Sequence, residues 1–243
     1  MRNKFLLLIC IALFYSCSDD RERILLSENL NDYLQFHSNR IQDEVIACAG
    51  NDEQKTDLVY VYYYPISGST EFQYYETNDV NVDPNNFSNY NLKKLPSNNV
   101  LGNKLSRFVR DENHEAWGIV TFLTNGKIHK SNPIRLKHKS TQTQYINNLT
   151  VENTTPISPK FSWNESNTME DVIYFQAIVD ENDNFISGTY TTERCFRYYD
   201  TSNVVLTINE QTPEDLNPSI NYTMTVLGVS EDNWVNLYSE KKF

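Results

Sequence analysis

One stretch of the chain places oxygen ligands at a spacing that could hold a calcium ion. Asp180 to Asn184 reads DENDN, which is how an EF-hand loop begins. That loop requires glycine at its sixth position for a sharp turn and a bidentate glutamate at its twelfth. Here those positions hold Phe185 and Thr191. The sequence therefore predicts a hairpin turn, with a looser calcium-bridging loop as the alternative.

Other groups that could do acid–base, nucleophilic or metal chemistry are scattered along the sequence. The four histidines are dispersed, and the chain has no nucleophile elbow, zinc-protease motif or phosphate-binding glycine loop. Paired carboxylates such as Glu231 and Asp232 fall in polar turns, without the apolar surroundings that tune a general acid. We therefore predict a protein that is not an enzyme, with no catalytic residue, metal or cofactor.

A basic cluster follows one of the predicted strands. It consists of Arg135, Lys137, His138 and Lys139. We interpret it as a solvated edge that discourages the addition of further strands. A site for an anionic ligand is the alternative.

Aromatic side chains give the strongest indication of a binding surface. Tyr60, Tyr62 and Tyr64 share one face of a predicted strand, because successive side chains alternate. Flat rings with a polar tip suit sugar stacking and protein contact. Trp234, after the polar turn SEDN, is expected to be exposed and is a fourth possible ligand contact. The alternative is that these rings line a half-buried sheet.

Two cysteines fall in strand-like apolar runs, Cys48 in VIACA and Cys195 in RCFRYY. Two such distant cysteines make neither a disulfide framework nor a zinc-binding spacing. Two buried free thiols are favoured, and a disulfide between domains is the alternative.

The elements that must position these residues are mostly strands. Thirty asparagines and sixteen tyrosines against five alanines favour turns and strands over helices. One helix is predicted in SENLNDYLQFH, where Leu30, Tyr33, Leu34 and His37 have helical spacing. The remaining short alternating runs predict an all-β chain of two antiparallel β-sandwiches in tandem.

The second sandwich is predicted over residues 156–243. Tyr222, Met224 and Val226 are expected on one face because side chains alternate along a strand, and Leu216 is expected to cap the same core from the preceding corner. Tyr222 can bury its ring and return its hydroxyl to the backbone upstream, which is a tyrosine corner. With Trp163 on an early strand, this region resembles a fibronectin type III domain, which implies structural roles for Trp163, Leu216 and Tyr222.

The first sandwich is predicted over residues 40–140, followed by a linker at 141–155. Asn125-Gly126 predicts a type I′ hairpin that pairs Leu123 with Ile128. Trp117, Ile119 and Leu123 are then expected on the inner face. The polar stretch from 78 to 99 predicts a long loop or irregular edge. The terminal hairpin resembles the last two strands of an immunoglobulin-like or fibronectin-like domain.

The N-terminus has the order of a secretory signal. Basic residues precede an apolar run from Phe5 to Tyr15, which is too short to span a bilayer. Ser16-Cys17 and the acidic residues after it resemble a bacterial lipoprotein signal of the Bacteroidota type, although Phe14-Tyr15 is bulkier than usual. The resemblance implies a signal peptide at 1–16, lipid on Cys17 and a tether at 17–39 that includes the helix. A plain signal peptide is the alternative.

Charge restricts the class of partner. Without Arg2 and Lys4, 19 basic side chains face 32 acidic ones, a net charge of −13. Such a chain is not suited to binding nucleic acid, and it contacts a membrane only through its lipid. The favoured hypothesis is a surface-exposed outer membrane lipoprotein of the cell envelope, with a non-enzymatic interaction or accessory role and a protein partner. The alternative is a carbohydrate-binding lipoprotein of a nutrient-uptake system.

Overall fold

The computed structural model describes residues 28–40, 42–152, 155–167 and 170–243. They form two modules, each built from two facing, mainly antiparallel sheets, which confirms the predicted all-β sandwich fold; β1 pairs with β9 and β11 with β19 in parallel. The predicted signal peptide and Cys17 lie outside the described residues. Within the described ranges, no helix has the length and apolar character needed to cross a bilayer.

In the described residues, the first module has one α-helix and ten strands. Its sheet A has the order β1-β9-β8-β4-β5, with β10 also pairing with β8, and its sheet B has the order β2-β3-β7-β6. The elements are α1 Leu30–Phe36, β1 Gln42–Val45, β2 Ala47–Asn51, β3 Leu58–Tyr63, β4 Thr70–Thr77, β5 Tyr90–Lys93, β6 Ser97–Val100, β7 Leu105–Asp111, β8 Ala116–Thr124, β9 Lys127–Ser131 and β10 Ile134–Leu136.

The hairpin between β8 and β9 is the one predicted from Asn125-Gly126. Both residues have positive φ, 51° and 75°, as a type I′ turn requires. Leu123 pairs with Ile128, as predicted. Local turn chemistry therefore fixes this register.

The predicted inner face of β8 is wrong. Ile119 and Leu123 pack against α1 on the outside of sheet A, and Trp117 borders the same cluster. The residues that face sheet B are Val120 and Phe122. Because the helix covers the outer face, β8 is buried on both sides, and its sequence cannot show which face is inner.

The helix belongs to the first module and not to a tether. Asn29 caps it by accepting from the Asn31 N–H at 3.0 Å, and its amide donates to Ser88 O and Tyr90 O. These bonds tie the helix to the polar stretch predicted as a loop. That stretch contains a 3₁₀ turn, Phe87–Asn89, and contributes β5 and β6 to the two sheets.

The first core contains a buried ion pair that sequence reasoning missed. Arg110 on β7 donates from Nε to Glu76 Oε2 at 2.7 Å and from Nη2 to Oε1 at 2.9 Å, joining sheet B to sheet A. Both side chains are almost fully buried. The Tyr74 hydroxyl also donates to Glu76, at 2.8 Å. A charge at an inward position of an alternating strand is the signal that could have revealed this pair.

The part of the second module that the structure describes has nine strands. Its sheet C has the order β11-β19-β18-β14-β15-β17, and its sheet D has the order β12-β13-β16. The strands are β11 Gln144–Tyr145, β12 Thr150–Glu152, β13 Lys160–Ser162, β14 Asp171–Asp180, β15 Phe185–Thr191, β16 Cys195–Arg197, β17 Val204–Thr207, β18 Tyr222–Ser230 and β19 Val235–Lys242.

The tyrosine corner is present in this module. The Tyr222 hydroxyl accepts from the Asn217 N–H at 2.9 Å, and its ring packs in the core with Leu216, Met224 and Val226. Trp163 is buried in the same core. The corner and the facing sheets make this module fibronectin type III-like.

The region predicted as a linker is ordered wherever the structure describes it. Gln144 and Tyr145 form β11 on the edge of sheet C, and Thr150–Glu152 forms β12 in sheet D. Thr143 between the modules is buried and accepts from the Asn51 N–H at 3.1 Å. Strands of two or three residues carry too little periodicity to be recognised in a sequence.

Candidate functional site at the junction of the modules

The turn between β18 and β19 inserts into the first module. Trp234 has no exposed surface and packs in the hydrophobic core of the first module, although it lies between two strands of the second module. The Ala49 N–H donates to Asn233 O at 3.0 Å, and the Arg135 N–H donates to Asp232 O at 2.9 Å. The predicted exposure of Trp234 is therefore wrong. Its ring holds the two modules together and is not available to a ligand at the surface.

The tyrosine face of β3 is directed at the second module. Tyr60, Tyr62 and Tyr64 are each half-buried, and burial raises the pKa of Tyr62 to about 12. The guanidinium of Arg107 lies 3.8 Å from the centre of the Tyr60 ring, and the Lys104 ammonium lies 5.5 Å from that of Tyr64. These rings are partly covered by cations and by the second module, so they do not form the open sugar platform that the sequence suggested.

A cavity of about 220 Å³ lies where this face meets sheet C. Both modules contribute to its apolar lining, which includes Ile46, Tyr64, Ile173, Phe175, Leu227 and Val229. Cys48 also lines it, and burial raises the pKa of its thiol to about 12. Cys48 and Cys195 are both free and partly buried, so the two thiols do not bridge the modules.

The predicted basic cluster is neutralised by acidic partners at the junction. Arg135 donates to Glu115 at 2.8 Å, and the Lys137 ammonium lies 3.0 Å from Asp232 in the inserted turn. Lys139 pairs with Asp57, and His138 is fully buried. The cluster is therefore neither a solvated edge nor an open site for an anion.

An open cleft of about 760 Å³ lies beside the inserted turn. Trp117 lines it, with its indole fixed by donation to Val80 O at 3.0 Å. Side-chain amides, carboxylates and one ammonium complete the lining, among them Asn85, Asn132, Lys137, Glu170 and Glu231. This combination of a ring with polar groups suits a polar ligand with an apolar face.

The remaining sequence candidates do not form a metal centre. Asp180 closes a hairpin turn, accepting from the N–H groups of Asn182 and Asn184 at 2.9 and 2.8 Å. His129 is buried against Phe122, with ring centroids 4.9 Å apart. Among the described residues, no group of three or more histidine, cysteine, aspartate or glutamate side chains could hold a metal ion.

Sheet C has a free apolar edge. β17 pairs with β15 on one side, and no described strand pairs with its other side. Val205 and Leu206 are 58% and 44% exposed, so this short uncharged strand presents apolar side chains to solvent. Native sheets usually protect such edges with charge or proline, which makes this edge a candidate interaction surface.

Comparison with known proteins finds only solved structures of weak structural similarity and low sequence identity. No protein-family model matches the chain, and no curated protein matches it. Similar solved structures include the chicken CNTN1 FN1–FN3 domains, with a TM-score of 0.31, 10% identity and coverage of 84% of this chain and 67% of that chain. A two-domain fibronectin type III segment of chicken tenascin has a TM-score of 0.25 and 13% identity, with coverage of 83% of this chain and 96% of that chain. A structure of the receptor tyrosine kinase Torso has a TM-score of 0.28 and 14% identity, with coverage of 91% of this chain and 86% of that chain.

Proposed function

We propose that this protein is a non-enzymatic, lipid-anchored binding protein on the outer surface of a bacterial cell envelope, and that it binds a protein partner. The observation that carries the binding role is the free edge at β17, with Val205 and Leu206 exposed. An extended segment of a partner can add to such an edge through backbone hydrogen bonds, with side chains giving specificity. We infer a partner segment that is extended and apolar.

The inserted turn supports this proposal because it joins the two modules into one rigid unit. Trp234 and the bonds around Asp232 and Asn233 hold the second module against the first. The β17 edge is then presented at a fixed orientation to the first module. Little interface entropy is lost when a partner meets a preorganised surface.

The partner surface is tested by photo-crosslinking in intact cells. A photoreactive residue at Val205 is expected to give a discrete crosslinked protein, and the same residue at Phe36, an exposed apolar position on α1, is not. Val205→Lys should weaken binding of that purified protein, and Phe36→Lys should not. Equal crosslinking at both positions, or unchanged binding by Val205→Lys, would reject the edge as the binding surface.

The lipid anchor is supported by the order of residues at the N-terminus, from Arg2 through the apolar run to Ser16-Cys17. Cys17→Ser is expected to abolish labelling of the protein by a fatty acid and to leave it unprocessed or released. Cys195→Ser is the matched control and should label normally. Full labelling of Cys17→Ser would reject the anchor.

A second candidate function, carbohydrate binding, is favoured by the cleft beside Trp117. Its ring and the surrounding amides and carboxylates offer the stacking and hydrogen bonding that sugars need. The full chain on a glycan array should then bind a restricted set of glycans, and Trp117→Ala should lose them. Phe36→Ala is the control at an exposed ring that does not line the cleft, and an array without signal would discard this candidate.

A further inference from the structure

We propose that the junction cavity binds a small, neutral, largely apolar molecule that carries one hydrogen-bond acceptor. This goes beyond the proposed function, because the β17 edge takes a protein segment and the cavity takes a small molecule. Pockets at the boundary between domains are common ligand sites in proteins.

The size of the cavity sets the size of the ligand. An apolar cavity of about 150 Å³ holds one benzene molecule, so the 220 Å³ here suits a molecule of about nine non-hydrogen atoms. The lining side chains come from eight strands of the two modules: β1, β2, β3 and β7 of the first, and β14, β15, β17 and β18 of the second. A ligand here therefore contacts both modules, in a partly open site that exists only while the modules are joined.

The Tyr190 hydroxyl supplies the donor. Tyr190 lines the cavity, is 8% exposed, and stacks its ring at 4.8 Å from that of Phe175. No hydrogen bond joins its hydroxyl to another group among the described residues, and the hydroxyl oxygen is not fully shielded from solvent. A ligand acceptor inside the cavity can therefore take the place of water at this hydroxyl and accept its hydrogen bond.

The electrostatics of the cavity select a neutral ligand. Glu44 is its one carboxylate and no lysine, arginine or histidine lines it, so a bound anion would have no counter-charge. Burial keeps the Cys48 thiol and the Tyr190 phenol protonated by raising both pKa values. A ketone, ester or ether fits these groups, and a carboxylate does not.

The test uses three probes of similar size on the purified full chain: acetophenone, ethylbenzene and benzoate. Binding is followed by NMR through the methyl groups of Val229 and Leu227 in the lining. Acetophenone should bind and shift these methyls, and benzoate should not. Tyr190→Phe should weaken acetophenone binding about three- to tenfold and leave ethylbenzene binding within about twofold, since only acetophenone can accept from the hydroxyl.

A second experiment fills the cavity with a larger side chain. Leu206→Trp at the rim should block acetophenone, and Val205→Trp, a neighbouring exposed position on the same strand, should not; thermal melts verify that each variant folds. Absence of methyl shifts with both acetophenone and ethylbenzene would overturn the site. An equal loss of both probes in Tyr190→Phe would overturn the role of the hydroxyl. Crosslinking at Val205 is measured independently, so failure here leaves the proposed protein partner unaffected.

Discussion

The two modules complete their cores with different polar contacts. In the first, Arg110 and Glu76 form a charged pair that joins the two sheets. In the second, the neutral Tyr222 hydroxyl accepts from one backbone N–H five residues upstream. The first contact spans the core through two ions, and the second fixes a local corner.

The difference determines how each module responds to loss of one partner. A buried charge without its counter-ion costs more free energy than a partly buried N–H without an acceptor. The charged pair also has no solvent to compensate it, since Arg110 is fully buried. We therefore expect the first module to be the more sensitive of the two to a single polar substitution.

The largest expected effect is that of Arg110→Met. It removes the cation that donates twice to the buried Glu76 carboxylate, leaving the Tyr74 hydroxyl and the partly exposed His114 imidazole as its polar neighbours. This should lower the free energy of unfolding by about 3–5 kcal/mol. Denaturant melts measure this. Adding Glu76→Gln should restore part of the loss, because no isolated charge remains. A loss smaller than that of Tyr222→Phe would reverse the comparison between the modules.

Trp234→Ala should cost about 3–4 kcal/mol, because it empties a large volume in the first core. The substituted residue belongs to the second module, so the location of the effect is the informative result. Hydrogen exchange should show loss of protection in β2 and β3 of the first module. A loss of protection confined to β18 and β19 would mean that the inserted turn does not support the first core.

Tyr222→Phe keeps the ring and removes the acceptor of the Asn217 N–H. It should lower the free energy of unfolding by about 1–3 kcal/mol, the cost of leaving one partly buried N–H unpaired. Denaturant midpoints with an unchanged slope would show that stability alone has changed. An unchanged midpoint would remove the corner hydrogen bond as a stabilising contact.

The corner and the Asn125-Gly126 hairpin were predictable because they are local. In each, the residues that interact are within a few positions of one another, and their types are dictated by backbone geometry. A period of two then placed Tyr222, Met224 and Val226 on one face. Sequence therefore predicted the strands and the sandwich class well.

The junction was not predictable because its contacts join distant parts of the chain. Trp234 follows a polar turn, which indicates solvent, and nothing near it shows that Ala49 and Val45 receive the ring. The tyrosine face has the same limitation. Alternation shows that Tyr60 and Tyr62 share a face, but the covering sheet comes from over a hundred residues downstream.

His138 should make stability depend on pH. Burial and the nearby Arg110 and Lys139 charges lower its pKa in the folded protein. The unfolded chain then takes up the proton first, so stability falls as pH drops below about 6.5. At pH 5.5 this loss is at most about 1.4 kcal/mol. Melts at pH 7.5 and 5.5 should show a smaller difference for His138→Leu than for the native chain; an equal difference would assign the pH effect to other groups.

The smallest expected effect is that of Tyr238→Phe, which is the matched control for the corner. Tyr238 is also a strand tyrosine of the second module, and its ring packs on Tyr145 with centroids 4.9 Å apart. Its hydroxyl donates to Glu240 at 2.8 Å, and that bond is exposed, so water can replace it. We expect a change below about 0.5 kcal/mol. A loss equal to that of Tyr222→Phe would show that removing any tyrosine hydroxyl destabilises this sheet, and that the partly buried N–H of Asn217 gives the corner no particular importance.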